Sequence, residues 1–535
     1  MADRRHVIIK VFRKYGHSLG PESLEFLEDL LDRHDIAEGD IEFSIEWIAK
    51  EYNKQDDAQM KVSLDVLHRV YETFQNGDND DDEGHAQLDP GSHLFFIDAY
   101  EMPLWNWSTE RSTFERHRIL FNLRYGTLLS SGSAESRIFA IRNRLNVIRQ
   151  CILRNDHFSP STLPSKDREN LLTLRSTKQL LGRAGDRFLL FGMLMHSKEG
   201  KLCLEDQDGS VELDFSQLDQ PSEGLFTEGC FALVEGEYTE DTTLLVIAIG
   251  HPPCESREAA RSIFGHIDFL GRGATTLLED KQFASRVQLE LPDLRFFVLS
   301  DVWLDRPDTL LGLRKMFDNC MENNFIPKVI VLCGNFTSVG IPQGDGRVVR
   351  KYQDNFEALA DLIASYPLFT RTTHFVLVPG PLDMTVNSVL PRRPIISSFV
   401  SRLRSRVPNV HFATNPCRIK FFEQEIVIFR EDLMARMLRN LVGVKPDVKN
   451  DDLKRYTILD QSHLMPVTTS IQPTLSEYDH AFRLYPLPTT VVLADKYDRY
   501  QMTYEGCHVF NPGRFVGNSF TFSAYAPARR ESEEW

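Results

Sequence analysis

The chain lacks any apolar run of the length a membrane span needs, about 18–20 residues. Its richest run, at 244–249, is strand-sized. It also lacks a Cys-x-x-Cys pair: the eight cysteines stand at 151, 203, 230, 254, 320, 333, 417 and 507. Without close pairs, neither a thiolate zinc module nor a disulfide framework is expected. Scattered thiols, mostly buried in a reducing compartment, are expected instead. Positive charge is in deficit, with 61 Lys and Arg against 77 Asp and Glu, a net −16. That excludes a protein whose main business is coating phosphate backbone, though not a local basic patch. Residues 1–5 are charged rather than apolar, so no secretory signal is expected at the start.

What is present is ordinary globular material, 535 residues with 42% hydrophobic and 26% charged. That length predicts about three or four domains. Residues 1–76 read as a small helical domain. Gly20-Pro21 starts a helix with proline in the first turn, where its missing N–H costs nothing. Leu24, Leu27 and Leu31 then recur at helical spacing, as do Ile41, Ile45 and Ile48, and Val62, Val66, Val70 and Phe74. The domain is acidic, so its polar faces are expected either to meet protein or to stay solvated. The acidic run NGDNDDDEG at 76–84 reads as flexible, giving a linker at 77–93.

A connecting segment, 94–180, follows and changes sign. Nine arginines lie in 111–154 against Glu115 and Glu135. Ile138, Ile141, Leu145, Ile148 and Ile152 share one side of a helix. Arg137, Arg142, Arg144 and Arg149 occupy the other faces as a possible basic contact belt. It could meet nucleic acid, or dock on acidic surface of this or a partner chain. Sparse aromatics between the arginines favour docking. Residues 181–255 read as a five-stranded OB-fold. Asp208-Gly209 supplies a hairpin turn, and Val211, Leu213 and Phe215 alternate with Glu212 and Asp214. Three basic side chains against thirteen acidic ones in 187–250 should repel a phosphate backbone, so this barrel is expected to meet protein. Any DNA contact is expected to be weak or indirect.

Residues 256–535 read as an α/β domain with its core from about 290. Apolar strands at 296–299, 329–332, 375–378 and 491–493 end abruptly in turns, where sites of such folds lie. These turns resemble the metallophosphoesterase (calcineurin-like) superfamily, whose D-x-H, G-D-x-x-D, G-N-H-D and G-H-x-H motifs hold two metal ions. Here Asp301 remains but Trp303 replaces the histidine, and an indole N–H cannot bind a cation. Asn335 stands where the bridging carboxylate belongs. Pro381 and Leu382 replace Asn and His before Asp383, and Asp495 and Tyr497 replace the late His pair around Lys496. His463 is a leftover imidazole. The expectation is a phosphoesterase fold emptied of metal, with no catalytic residue and no cofactor. Asp301 and Asp383 are expected as turn and capping residues, and Trp303 as core.

An acidic bundle, an OB-fold and a dead phosphoesterase domain, in that order, resemble the B-subunits of the replicative DNA polymerases, and among them the epsilon branch. The carrying segments are FVLSDVWLD at 297–305, LCGNF at 332–336, VPGPLD at 378–383, TNPCRIK at 414–420, FREDL at 429–433, ADKYD at 494–498 and NPGR at 511–514. The resemblance implies a non-catalytic scaffold in chromosomal, leading-strand replication, resident in the nucleus. It implies OB and phosphoesterase domains that cradle the C-terminal zinc-bearing module of the catalytic subunit. It also implies an N-terminal domain, similar to the C-terminal domain of AAA+ ATPases, that links to the replicative helicase through GINS. The small histone-fold subunits would be met indirectly. The alternatives are a B-subunit of the delta or alpha polymerase, or a divergent metal-dependent phosphoesterase or nuclease.

Overall fold

A computed structural model describes residues 2–34, 36, 41–55, 59–77, 88–117, 134–158, 173–218, 224–342, 344–385, 388–443, 453–517 and 520–535. Most of the expected linker and the 118–133 part of the arginine-rich stretch lie outside these residues. The chain forms two compact units. One comprises 1–93, 261–268 and 272–291; the other comprises 94–260, 269–271 and 292–535.

The first unit is built on helices α1 (Ala2–Lys14), α2 (Pro21–Arg33), α3 (Ile41–Lys54) and α4 (Leu64–Gly77). Gly20 is the N-cap of α2 and Pro21 its first helical residue. The apolar stripes meet in one core containing Ile8, Phe12, Leu27, Leu31, Ile45, Tyr52 and Val66. A fifth helix, Leu277–Glu290, belongs to the same unit. Thr276 and Glu279 close a reciprocal capping box at its start, and Glu279 also accepts from Lys50 Nζ at 2.7 Å. Although it lies some two hundred residues beyond the bundle along the chain, this helix belongs to the same compact unit.

The second unit holds a barrel and a sandwich, the mixed α/β and all-β class expected. In the barrel the order is Leu174–Arg175, Arg187–His196, Leu202–Glu205, Ser210–Asp214, Thr243–Gly250, Phe231–Tyr238, and the long strand Arg187–His196 pairs back with Phe231–Tyr238 to close it. Asp206 Oδ1 accepts from the N–H groups of Asp208 and Gly209, fixing the expected hairpin turn. Leu190, Leu204, Val234 and Leu244 fill the interior. All eight cysteines are free thiols, six of them buried.

The sandwich has two six-stranded sheets. The first runs Val410–Phe412, His374–Val378, Val329–Cys333, Phe296–Leu299, Ser523–Ala526, Glu531–Glu534. Its first four strands are parallel and the last two antiparallel. The second runs Leu94–Asp98, Cys417–Phe421, Gln424–Arg430, Thr490–Ala494, Cys507–Asn511, Tyr500–Tyr504. Strand alternation divides the labour. Phe297 and Leu299 pack under helices Pro307–Glu322 and Gly346–Ala364. Phe296 meets Phe421 of the other sheet edge to face, 5.2 Å between ring centres. Both faces of these parallel strands are covered, which is why they are continuously apolar in sequence.

Candidate functional site

The parallel strands of both sheets bring their carboxyl ends to one hydrogen-bonded cluster. Asp301 follows Phe296–Leu299, Asn335 follows Val329–Cys333, Asp383 follows His374–Val378, Arg430 ends Gln424–Arg430, and Asp495 follows Thr490–Ala494. Arg430 is fully buried among them. Its Nη2 donates to Asp301 Oδ1 at 2.8 Å and its Nε to the Gly334 carbonyl at 2.5 Å. Its Nη1 donates to Asp432 Oδ1 at 2.9 Å and to the Ala494 carbonyl at 3.3 Å. Burial works against the charged guanidinium, but Asp301 and Asp432 outweigh it and raise its pKa. The same pairing pulls Asp432 below the ordinary range, against the opposing effect of burial.

Asp301 sits at φ +54°, a left-handed conformation that a short polar side chain tolerates. Its Oδ1 also accepts from the backbone N–H of Asn335 at 3.2 Å and the Asn335 side-chain amide at 3.1 Å. Asn335 Oδ1 in turn accepts from Leu382 N–H at 2.8 Å. Asp383 accepts from the N–H groups of Gly380 and Phe336 at 2.7 and 2.8 Å, and from Tyr352 O–H at 3.1 Å. Burial still pushes its carboxyl up to about 6. Asp495 accepts from the N–H groups of Met434 at 2.8 Å and Tyr497 at 3.0 Å, and burial raises it too. The turns approach backbone to backbone, which explains the glycines. A Cβ on Gly380 would lie 2.5 Å from Asn335 Oδ1.

Asp383 ties its own turn, through Gly380 N–H, to the neighbouring one, through Phe336 N–H. Asp301 is more than a turn residue, because it is the principal counter-ion of Arg430. Trp303 is only half-buried, and its indole N–H has no partner among the described groups. Pro381 is half-buried, Leu382 is exposed, and Tyr497 packs at the edge of the cluster around Phe429 and Met434. His463 joins a different group. It lies 3.4 Å from Asp479 and accepts from Met465 N–H, while burial lowers its pKa to about 4.

The resemblance of these turns to metallophosphoesterase motifs would place two dications here, and the residues present do not fit them. Each surviving carboxylate is already occupied by N–H or O–H donors, and a guanidinium stands among them, where a dication would be repelled. Among the described residues, no group of three or more His, Cys, Asp and Glu is placed to hold a metal ion. In sequence the FREDL segment carries the family resemblance, but its arginine drew no role there.

The arginine belt divides. Arg137, Arg142 and Arg149 are exposed on helix Ala134–Arg154. Arg144 is not available as surface. It grips Asp479 through Nε at 2.9 and 3.0 Å and through Nη2, and donates to the Met465 carbonyl at 3.3 Å. The reason is that the helix is covered on more than one face. Leu145, Ile148 and Ile152 pack on Phe191, Met193 and Phe231 of the barrel, while the segment Ser476–Phe482 covers another side. Ile138, expected in the apolar stripe, is half-exposed because it precedes the packed turns.

Comparison with known proteins agrees with this organisation. Residues 134–253 match the family described as DNA polymerase epsilon subunit 2-like, OB-fold domain, and residues 296–502 match the DNA polymerase alpha/epsilon B-subunit family. The human DNA polymerase epsilon subunit 2 is 34% identical over 98% of this chain and 97% of its own length. The DNA polymerase epsilon B-subunit of Schizosaccharomyces pombe is 31% identical over 98% of this chain and 94% of its own. That of Arabidopsis thaliana is 33% identical over 83% of this chain and 82% of its own. An archaeal phosphodiesterase of known structure is 13% identical and covers 45% of this chain and 99% of its own, with a TM-score of 0.24, too loose to add to the strand order. Full-length identity of this order settles the assignment: the chain belongs to the DNA polymerase epsilon subunit 2 family, the non-catalytic accessory B-subunits of a polymerase of DNA replication.

Proposed function

We propose that this protein works as a body to be held. Its barrel and sandwich cradle the C-terminal zinc-bearing module of the catalytic subunit, and its helical unit links the polymerase to the replicative helicase through GINS. The small histone-fold subunits are reached indirectly, and the assembly works in the nucleus. The observation that carries this reading is the exchange at the strand ends. In place of the side chains that would bind metal stand ones that hydrogen-bond or pack, and among the described residues no group is placed to hold a metal ion. The acidic barrel supports a protein partner over a phosphate backbone. In the helical unit, an apolar groove of about 440 Å³, lined by residues such as Leu30, Phe43, Trp47, Tyr71 and Leu278, supports a second protein contact there.

Co-expression with the C-terminal region of the catalytic subunit tests the main claim. A stoichiometric complex that survives size exclusion is expected, with the zinc on the partner's cysteines. If the two chains elute apart, each well behaved, the cradle reading is overturned.

A further inference from the structure

We infer that Arg430 is the resident cation of the strand-end cluster: its side chain supplies covalently the positive charge that the surrounding oxygens demand, and so locks the turns together without a bound metal. This goes beyond the role of polymerase subunit, since it assigns the old ligand site a present task.

The argument starts from the acceptors. Four oxygens converge on one guanidinium: Asp301 Oδ1, Asp432 Oδ1, and the carbonyls of Gly334 and Ala494. They come from four separate strand ends or turns of both sheets. Both carboxylates carry an outer cation as well. Arg514 Nε lies 3.6 Å from Asp301 Oδ2, and Lys496 Nζ lies 3.2 Å from Asp432 Oδ2. Those two cations are partly exposed and address the outer oxygens, whereas Arg430 is wholly enclosed. The inner oxygens have other donors, but these are neutral, such as the Asn335 N–H and amide on Asp301 Oδ1, so for positive charge they depend on Arg430. Lose its side chain, and two carboxylates and two carbonyls face a space with no positive charge, which is costly in a buried setting. An all-oxygen set of this kind suits hard cations or a free guanidinium. The vacated space should therefore select an occupant by charge rather than by shape alone.

The test uses the full-length chain and its Arg430→Ala variant in thermal unfolding. The wild type is expected to hold its Tm when EDTA, Mg²⁺ or Mn²⁺ is added, because the cation is built in. Arg430→Ala is expected to lose roughly 5–10 °C. It should regain part of that with millimolar guanidinium, Mg²⁺ or Mn²⁺. Urea at the same concentration, a neutral near-isostere of guanidinium, and NaCl at matched ionic strength should restore nothing. A variant that responds to none of the cations, or to urea as well as to guanidinium, would refute the charge argument. So would a wild type destabilised by EDTA. Should Arg430→Ala not fold, the pair Arg430→Met and Arg430→Met/Asp301→Asn decides. Removing the main counter-charge should recover folding or raise Tm over the single variant, and a double variant no better than the single overturns the proposal.

Discussion

Asp460 ends helix Leu453–Asp460 and is almost fully buried. Tyr504 O–H donates to its Oδ1 at 2.8 Å, but burial dominates and, with Glu505 adding repulsion, drives the carboxyl up to about 7. A carboxyl raised on folding contributes stability that is fully present below its unfolded pKa and is lost as pH rises through its folded one. The window here runs from about 4 to about 7. Asp460→Asn keeps the oxygen that Tyr504 needs and removes the ionisation. It is expected to be more stable than wild type by on the order of 2 kcal/mol near pH 8, with the advantage shrinking as pH falls toward about 5. Urea denaturation at the two pH values measures this, and an advantage that does not change with pH would reject it. Neither Asp460 nor Arg430 was legible in sequence. A charged residue at a helix or strand end reads as surface, the more so for Arg430 beside Glu431 and Asp432, and only distant parts of the chain, Tyr504 in one case and Asp301 in the other, enclose it.

At the scale of elements, much more could be read. The strands at 296–299, 329–333, 374–378 and 490–494 are short apolar runs because both of their faces are covered, and they stop in turns because their ends carry a buried polar cluster. Strand Leu94–Asp98 gave no such signal for its place. It pairs antiparallel with Cys417–Phe421, more than three hundred residues away, and long-range pairing leaves no local mark. Helix Ala134–Arg154 shows the same limit. Its periodicity announced one apolar face, but not that a second face would be covered and would draw Arg144 inward. Burial pushes the Asp479 carboxyl up, yet Arg144 and His463 outweigh it and hold it below the ordinary range. Arg144→Ala removes the guanidinium that grips that buried carboxylate and leaves it the His463 imidazole and the charge of Arg483, so a loss of about 3 kcal/mol is expected. Arg137→Ala, Arg142→Ala and Arg149→Ala, on exposed positions, should each stay within about 0.5 kcal/mol of wild type. Chemical denaturation of the four variants separates the structural arginine from the belt. Equal losses across all four would contradict the division.

For the molecule as a whole, the helical unit has its own core, while the other unit holds several, the sandwich and barrel cores among them. Phe12 is fully enclosed in the helical core with Leu27 and Ile45. Phe317 is enclosed in the sandwich core, meeting Tyr366 and Phe375 edge to face and Phe369 at a tilt. Neither cluster draws a residue from the other unit. Cooperativity follows shared packing, so each unit is expected to unfold as its own transition, the helical one with the smaller enthalpy because enthalpy scales with residue number. A Phe→Ala change in a core costs about 3–5 kcal/mol through lost burial and the cavity left behind. Phe12→Ala should therefore lower the small calorimetric transition and leave the large one in place, and Phe317→Ala should do the reverse. Because the segments 261–268 and 272–291 belong to the helical unit although they lie far along the chain, the small transition should report on them as well. Hydrogen exchange in helix Leu277–Glu290 should then accelerate in Phe12→Ala and not in Phe317→Ala. One merged transition that both substitutions shift alike would mean that the two cores melt as one.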